Sequence, residues 1–209
     1  MFVRLFHFRS ARTAELTDSL LRDTLEPVLL GVAGLRYVYS GRGSGPRGEE
    51  RLVATIWDGE PDDAETLARL RQPFDFEREM EAEDVLVEAL PLAAVIEPEE
   101  GEPQIMRIFR GRARPGELET YVEEARSGTL VDIERGVGPG GLFLGVEAPD
   151  RFVTVSVWQN WDRIERATGG NLRQPISTQH MHRLLETAAS HLEIVPHSIA
   201  GRPTATPTG

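Results

Sequence analysis

The side chains in this sequence that could move a proton, stack on a ring or hold an anion are few, and their spacing keeps them apart. His180 stands four residues after Ile176 and four before Leu184, so on a helix the three share a face. A histidine at the edge of an apolar stripe is a candidate general base at neutral pH. The alternative is a half-buried imidazole satisfied by a backbone carbonyl. His182 lies two positions further, about 200° around the same helix. It cannot chelate a metal with His180, because that needs i, i+4 spacing. The five histidines are otherwise scattered, and no metal site is expected from them.

Three tryptophans and two arginines complete the list. Trp57 and Trp158 end similar strands and share a face with Thr55 and Ser156, which suits packing as well as ligand stacking. Trp161 has no counterpart in the first half, where Glu60 stands, and is the better candidate wall of a half-specific pocket. Arg4 and Arg107 alternate with apolar residues on strands; each either pairs with an acid or binds an anionic substrate. Tyr37 and Tyr39 share a strand face, suited to packing or to holding a phenol or enolate. The first half has no histidine at its closing helix, Phe74 to Arg78, so a single site belongs in the second half.

These residues sit in a sequence that repeats. Leu70-Arg71-Gln72-Pro73 recurs as Leu172-Arg173-Gln174-Pro175, and Val3-Arg4-Leu5-Phe6 matches Met106-Arg107-Ile108-Phe109. Val87-Glu88-Ala89-Leu90-Pro91 likewise matches Leu192-Glu193-Ile194-Val195-Pro196. Matches in constant order are the mark of tandem duplication. The net charge of −11 speaks against nucleic acid and anionic membranes as partners. All 23 basic residues are arginine, a sign of GC-rich coding, and the lack of lysine rules out Schiff-base catalysis. Without cysteine there is no disulfide or thiolate nucleophile. With neither a signal peptide nor a long apolar run, the expected location is the cytoplasm.

The periodicity predicts strands over 2–8, 35–39, 51–57 and 85–96 in the first half, with a helix from Ala14 that Pro27 kinks or ends and others from Glu60 and Asp75. Gly41 to Gly48 reads as a loop; it lacks the Lys and Ser/Thr of a phosphate-binding loop. The second half repeats the order: strands over 105–111, 142–146, 152–158 and 192–196, and helices over 115–126, 161–168 and 176–189. The expected fold is α+β: two tandem ferredoxin-like β-α-β-β-α-β units, 1–97 and 104–198, forming a pseudo-dimeric α+β barrel. An acidic linker (98–103) joins them, and 199–209 is a disordered tail.

Two such units, with the strand Phe152 to Trp158 running into Gln159-Asn160-Trp161 and a helix bearing His180-Met181-His182, resemble the dimeric α+β barrel superfamily. Within it the resemblance is to antibiotic biosynthesis monooxygenase-type domains, over about residues 1 to 198. The resemblance implies oxidation of aromatic polyketides without metal or organic cofactor, binding and degradation of haem, or no catalysis. For the haem branch, His7 or Arg110 stands where an asparagine belongs, Thr168-Gly169-Gly170 follow where a tryptophan belongs, and only His180 matches. The expectation is therefore a monooxygenase-like protein acting on a small aromatic or tetrapyrrole ligand in its second unit. Trp158, Trp161 and Arg107 would bind the ligand and His180 would be the catalytic contact. No cofactor is required, and haem enters only through the resemblance. The alternative is a non-catalytic small-molecule-binding or stress-related shell, and the chain could pair again as a homodimer.

Overall fold

The computed structural model describes residues 1–45, 48–60, 76–101, 103–170, 179–186 and 194–199; at 44, 45, 48, 76, 77, 179, 180 and 194–199 it describes the backbone alone. Among the described residues there are eight strands: β1 (Phe2–Ser10), β2 (Leu35–Gly45), β3 (Gly48–Trp57), β4 (Ala82–Ile96), β5 (Ile105–Arg112), β6 (Gly141–Glu147), β7 (Arg151–Trp158) and β8 (Ile194–Ile199). The helices are α1 (Ala14–Leu20), a π-helical turn over Leu21–Leu25, α2 (Glu26–Leu30), α3 (Phe76–Met80), α4 (Leu118–Glu134), α5 (Trp161–Thr168) and α6 (Gln179–Leu184). The α+β class expected from the sequence holds. The duplicated Leu-Arg-Gln-Pro segments and the helix expected from Glu60 to Leu70 lie outside the described residues.

The chain packs as two compact units, Met1–Ala89 with His197–Gly209, and Leu90–Pro196. In the first, β3 is the centre of an antiparallel sheet, paired with β1 from Phe2↔Trp57 to Phe8↔Arg51 and with β2 down to Gly45↔Gly48. The glycine-rich stretch read as a loop is therefore mostly strand. On its outer edge Gly41, Arg42 and Gly43 pair with Ile199, Ser198 and His197 of β8. In the second unit β7 is central, paired with β5 from Ile105↔Trp158 to Arg112↔Arg151 and with β6, and β6 pairs with Leu92–Ile96 of β4. This differs from the sequence expectation that each half closes on its own fourth strand, with β4 ending unit one and β8 unit two. Hydrophobic alternation shows that a strand is half-buried. It carries no information about which edge the strand joins.

Two helices also differ from expectation, each for a local reason. Pro27 follows a distortion of the first helix and does not end it. The preceding turn is π-helical, with Glu26 N–H bonded to Leu21 O five residues back, and the chain stays helical to Leu30. A wider turn takes the proline ring without the clash and lost donor that it imposes on a regular helix. Helix α4 does not end at Arg126 either but continues through Ser127-Gly128-Thr129 to Glu134. Both hydroxyls there bond back to the helix, Ser127 Oγ to Glu123 O (2.8 Å) and Thr129 Oγ1 to Ala125 O (2.7 Å), so they no longer compete with it. The helix ends at Gly136, whose φ of 71° is left-handed, and Asp132 O accepts from Val137 and Gly138 N–H.

The expected linker is held against the second unit. Glu99 N–H donates to Gly140 O (2.7 Å), and the Glu99 carboxylate takes two bonds from Arg163 of α5 (2.9 and 3.0 Å). Helix α6 is interrupted at Leu185, which bridges Ala113, and the expected helical residues 176–178 and 187–189 lie outside the described residues. Residues 201–209, expected to be a disordered tail, lie outside the described residues.

Candidate functional site

In the second unit a cavity of about 640 Å³ lies between one face of the sheet and the helices above it. Pairing places Arg107 opposite Ser156, Phe109 opposite Thr154 and Leu142 opposite Ser156, so these side chains share a face and form the floor. Helix α4 roofs it with Tyr121, Glu124, Ala125, Gly128, Asp132 and Arg135, which recur at intervals of three and four and thus form one stripe. Arg166 and Thr168 of α5 and Met181 of α6 complete the wall. The volume falls in the range of small-molecule sites, roughly 300–1,000 Å³.

The cavity exists because the stripe of α4 is short of side-chain volume. The first helix and α4 have their N-caps at Thr13 and Glu117, an offset of 104. In that register Leu21 and Leu25, both buried in the first unit's core, correspond to Ala125 and Thr129. At these positions the α4 face that covers the sheet carries smaller side chains than the first helix does, and Gly128 between them brings none. A packed interior closes such gaps unless something keeps them open. Here the rigid cluster of Phe109, Tyr121 and Phe152 at one end props the helix. Tyr121 stacks on Phe152 at 4.1 Å, and Phe109 meets Phe152 edge-on at 5.3 Å. Gly111 makes room for that ring, since a Cβ there would lie 2.5 Å from Phe152 Cζ.

At the floor, Arg107 is 3% exposed, and its guanidinium carbon lies 5.7 Å from the centre of the Trp158 ring. Burial pulls the guanidinium pKa down to about 10. Trp158 is fixed by its own N–H, which donates to Ser156 Oγ (3.0 Å), and that hydroxyl reaches Arg107 O (3.4 Å). The first unit has the same relay: Trp57 Nε1 donates to Thr55 Oγ1 (2.9 Å), which donates to Arg4 O (3.2 Å). There the arginine, also buried, lies 4.8 Å from the ring of Phe6. Burial holds the Tyr121 phenol above the usual tyrosine range, with the Thr154 hydroxyl acting against the shift.

Of the residues singled out in the sequence, Arg107 and Trp158 meet at this cavity. Trp161 does not line it; half-buried, it packs with Ile105, Trp158 and Ile164. His180 is in α6 beside the wall residue Met181, but its side chain lies outside the described residues. His182 is half-buried. Tyr37 and Tyr39 stack at 6.1 Å in the first unit. Among the described residues no group of three metal-ligating side chains is present, and no helix is long and apolar enough to cross a membrane. The sequence reading passed over Tyr121, Gly128, Asp132 and Arg135. The three- and four-residue spacing beyond Arg126 was the available signal, and the Ser-Gly-Thr triplet hid it.

No protein-family model and no curated protein matches this sequence. Solved structures do. Two are each described as a "putative monooxygenase". The one from Fusobacterium nucleatum subsp. nucleatum has TM-score 0.69 and 8% identity, over 98% of this chain and 94% of its own. The one from Lactobacillus acidophilus has TM-score 0.65 and 10% identity, over 98% and 96%. A third, an anthrone oxidase-like protein, has TM-score 0.59 and 11% identity, over 99% and 94%. At these identities the likeness is one of fold.

Proposed function

We propose that the protein is a monooxygenase-like enzyme that oxidises a small fused-ring phenol or its keto tautomer in the cavity of the second unit. The observation that carries this reading is a buried arginine beside a tryptophan on the floor of a cavity whose end wall is aromatic. Such a floor supports a flat ring and favours the ionised form of an oxygen placed on it. The names of the structural neighbours fit the same chemistry.

In the proposed reaction the substrate is an anthrone-type methylene, and dioxygen is the oxidant. A base removes one methylene proton, and Arg107 holds the oxygen that carries the resulting enolate charge. The carbanion adds dioxygen to form a peroxide anion, which takes up a proton to become the hydroperoxide. Loss of the second C–H proton breaks the O–O bond, giving the ketone and one water. One dioxygen is thus consumed per carbonyl formed, and no added cofactor is needed. His180 is the base the sequence suggests, and Asp132 is a carboxylate facing the cavity.

The test is oxygen uptake with 9-anthrone, followed alongside anthraquinone absorbance. The expected result is uptake above the uncatalysed rate, one oxygen per quinone, reduced about 100-fold or more by Arg107→Met. His180→Ala and Asp132→Asn then separate the two bases. Binding of 9-anthrone with no oxygen uptake would replace this reading with the binding-shell alternative, and no binding would end both.

A further inference from the structure

Gly128 is unexplained by the usual reasons for glycine. It sits in the interior of α4, where glycine costs backbone entropy and is worse than alanine. It is not among the residues with positive φ, so no left-handed conformation demands it. A Cβ built on it would meet no atom within 4 Å, so no close approach of another segment demands it either. Its place on the stripe, four residues after Glu124 and four before Asp132, aims any side chain into the cavity, which Gly128 itself lines.

We infer that Gly128 is a specificity-determining position: its missing side chain leaves the space that the far ring of the ligand occupies, and so sets how many fused rings the site admits. The inference rests on the cavity being a phenol-binding site, as proposed above. A ligand anchored at Arg107 by its oxygen, beside the edge of Trp158, extends along the floor under α4. Its outer end passes beneath position 128, between Ala125 and Asp132. A larger residue at 128 shortens the cavity without touching the anchor. One-ring phenols are then still accepted and three-ring ones excluded. The stability given up by a helix-interior glycine is the cost of that reach, a trade common at functional sites.

The experiment measures binding of phenol, 1-naphthol and 1,8-dihydroxyanthraquinone by calorimetry to wild type, Gly128→Ala, Gly128→Leu and Arg107→Met, with thermal unfolding of each. None of these probes is turned over as a methylene substrate, so binding is read apart from catalysis. Gly128→Ala should unfold at higher temperature than wild type yet bind the three-ring probe more weakly. Gly128→Leu should weaken the three-ring probe about tenfold or more while changing phenol by less than about threefold. If Gly128→Leu fails to fold, Gly128→Ala carries the test, since alanine suits a helix better than glycine. Unchanged three-ring binding in these variants, with Arg107→Met still abolishing it, overturns the inference and leaves the site intact. If wild type binds none of the three, the phenol-site reading fails and takes the inference with it.

Discussion

At the scale of single residues, the arginine on the cavity floor and a carboxyl in the first unit invite opposite pH experiments. Burial lowers the pKa of Arg107 to about 10, so in the free protein its charge is lost as pH rises through that value. Affinity for an ionised phenol should hold up to about pH 9 and fall above 10. A guanidinium with its ordinary, much higher pKa would show no such break in a binding titration. Glu26 is 7% exposed and accepts a hydrogen bond from Ser40, and burial raises its pKa above the usual 4.5. In the window between 4.5 and that raised value the folded protein keeps a proton that the unfolded chain releases, so stability falls as pH rises. Glu26→Gln should therefore be more stable than wild type at pH 7 and lose that advantage below about pH 4.5, read from urea midpoints at the two pH values. Ser156→Ala orphans the buried Trp158 N–H and should cost about 1–3 kcal/mol. In an Ser156→Ala/Trp158→Phe pair most of that loss should disappear, because no donor is left unsatisfied.

At the scale of elements, two helices with the same N-cap register do different work. The first inserts Leu21 and Leu25 into its sheet, and Leu21→Ala should cost about 2–5 kcal/mol in a denaturant series. Helix α4 offers Ala125 and Thr129 at the matching positions, and there the reverse change, Ala125→Leu, should displace ligand more than it alters stability. Gly111→Ala is a strand counterpart: a methyl 2.5 Å from Phe152 Cζ must move the aromatic cluster that props α4, at about 1–3 kcal/mol. These elements were only partly legible in the sequence. Alternation in Phe152 to Trp158 identified β7 because one side of every strand must be buried. Ser127-Gly128-Thr129 read as a helix end because each residue disfavours a helix on its own, and the back-bonded hydroxyls that reverse this are a property of the formed helix.

At the scale of the molecule, the net charge of −11 sets the field through which any ligand arrives. That field opposes an anion, whereas the buried Arg107 attracts one at short range, where salt screens little. Raising the salt from about 0.01 to 0.15 M should therefore speed association of ionised 1-naphthol in stopped flow, with little change in its dissociation. A slowing instead would mean that the approach is governed by a basic surface.

The sequence by itself determined the α+β class and the strands that bear the tryptophans. It also put each tryptophan on one face with the hydroxyl residue two positions earlier, and the structure turned that neighbourhood into a hydrogen bond. Its lack of lysine and cysteine likewise closed off whole classes of chemistry. Only the tertiary structure decided that Leu92–Ile96 pair with β6 and His197–Ile199 with β2, since a strand's pattern names the face it buries and not its neighbour. Only the tertiary structure, too, brought Arg107, Trp158 and the second half of α4 around one space. A cavity is a deficit of volume between elements far apart in sequence, and no single stretch of residues records it.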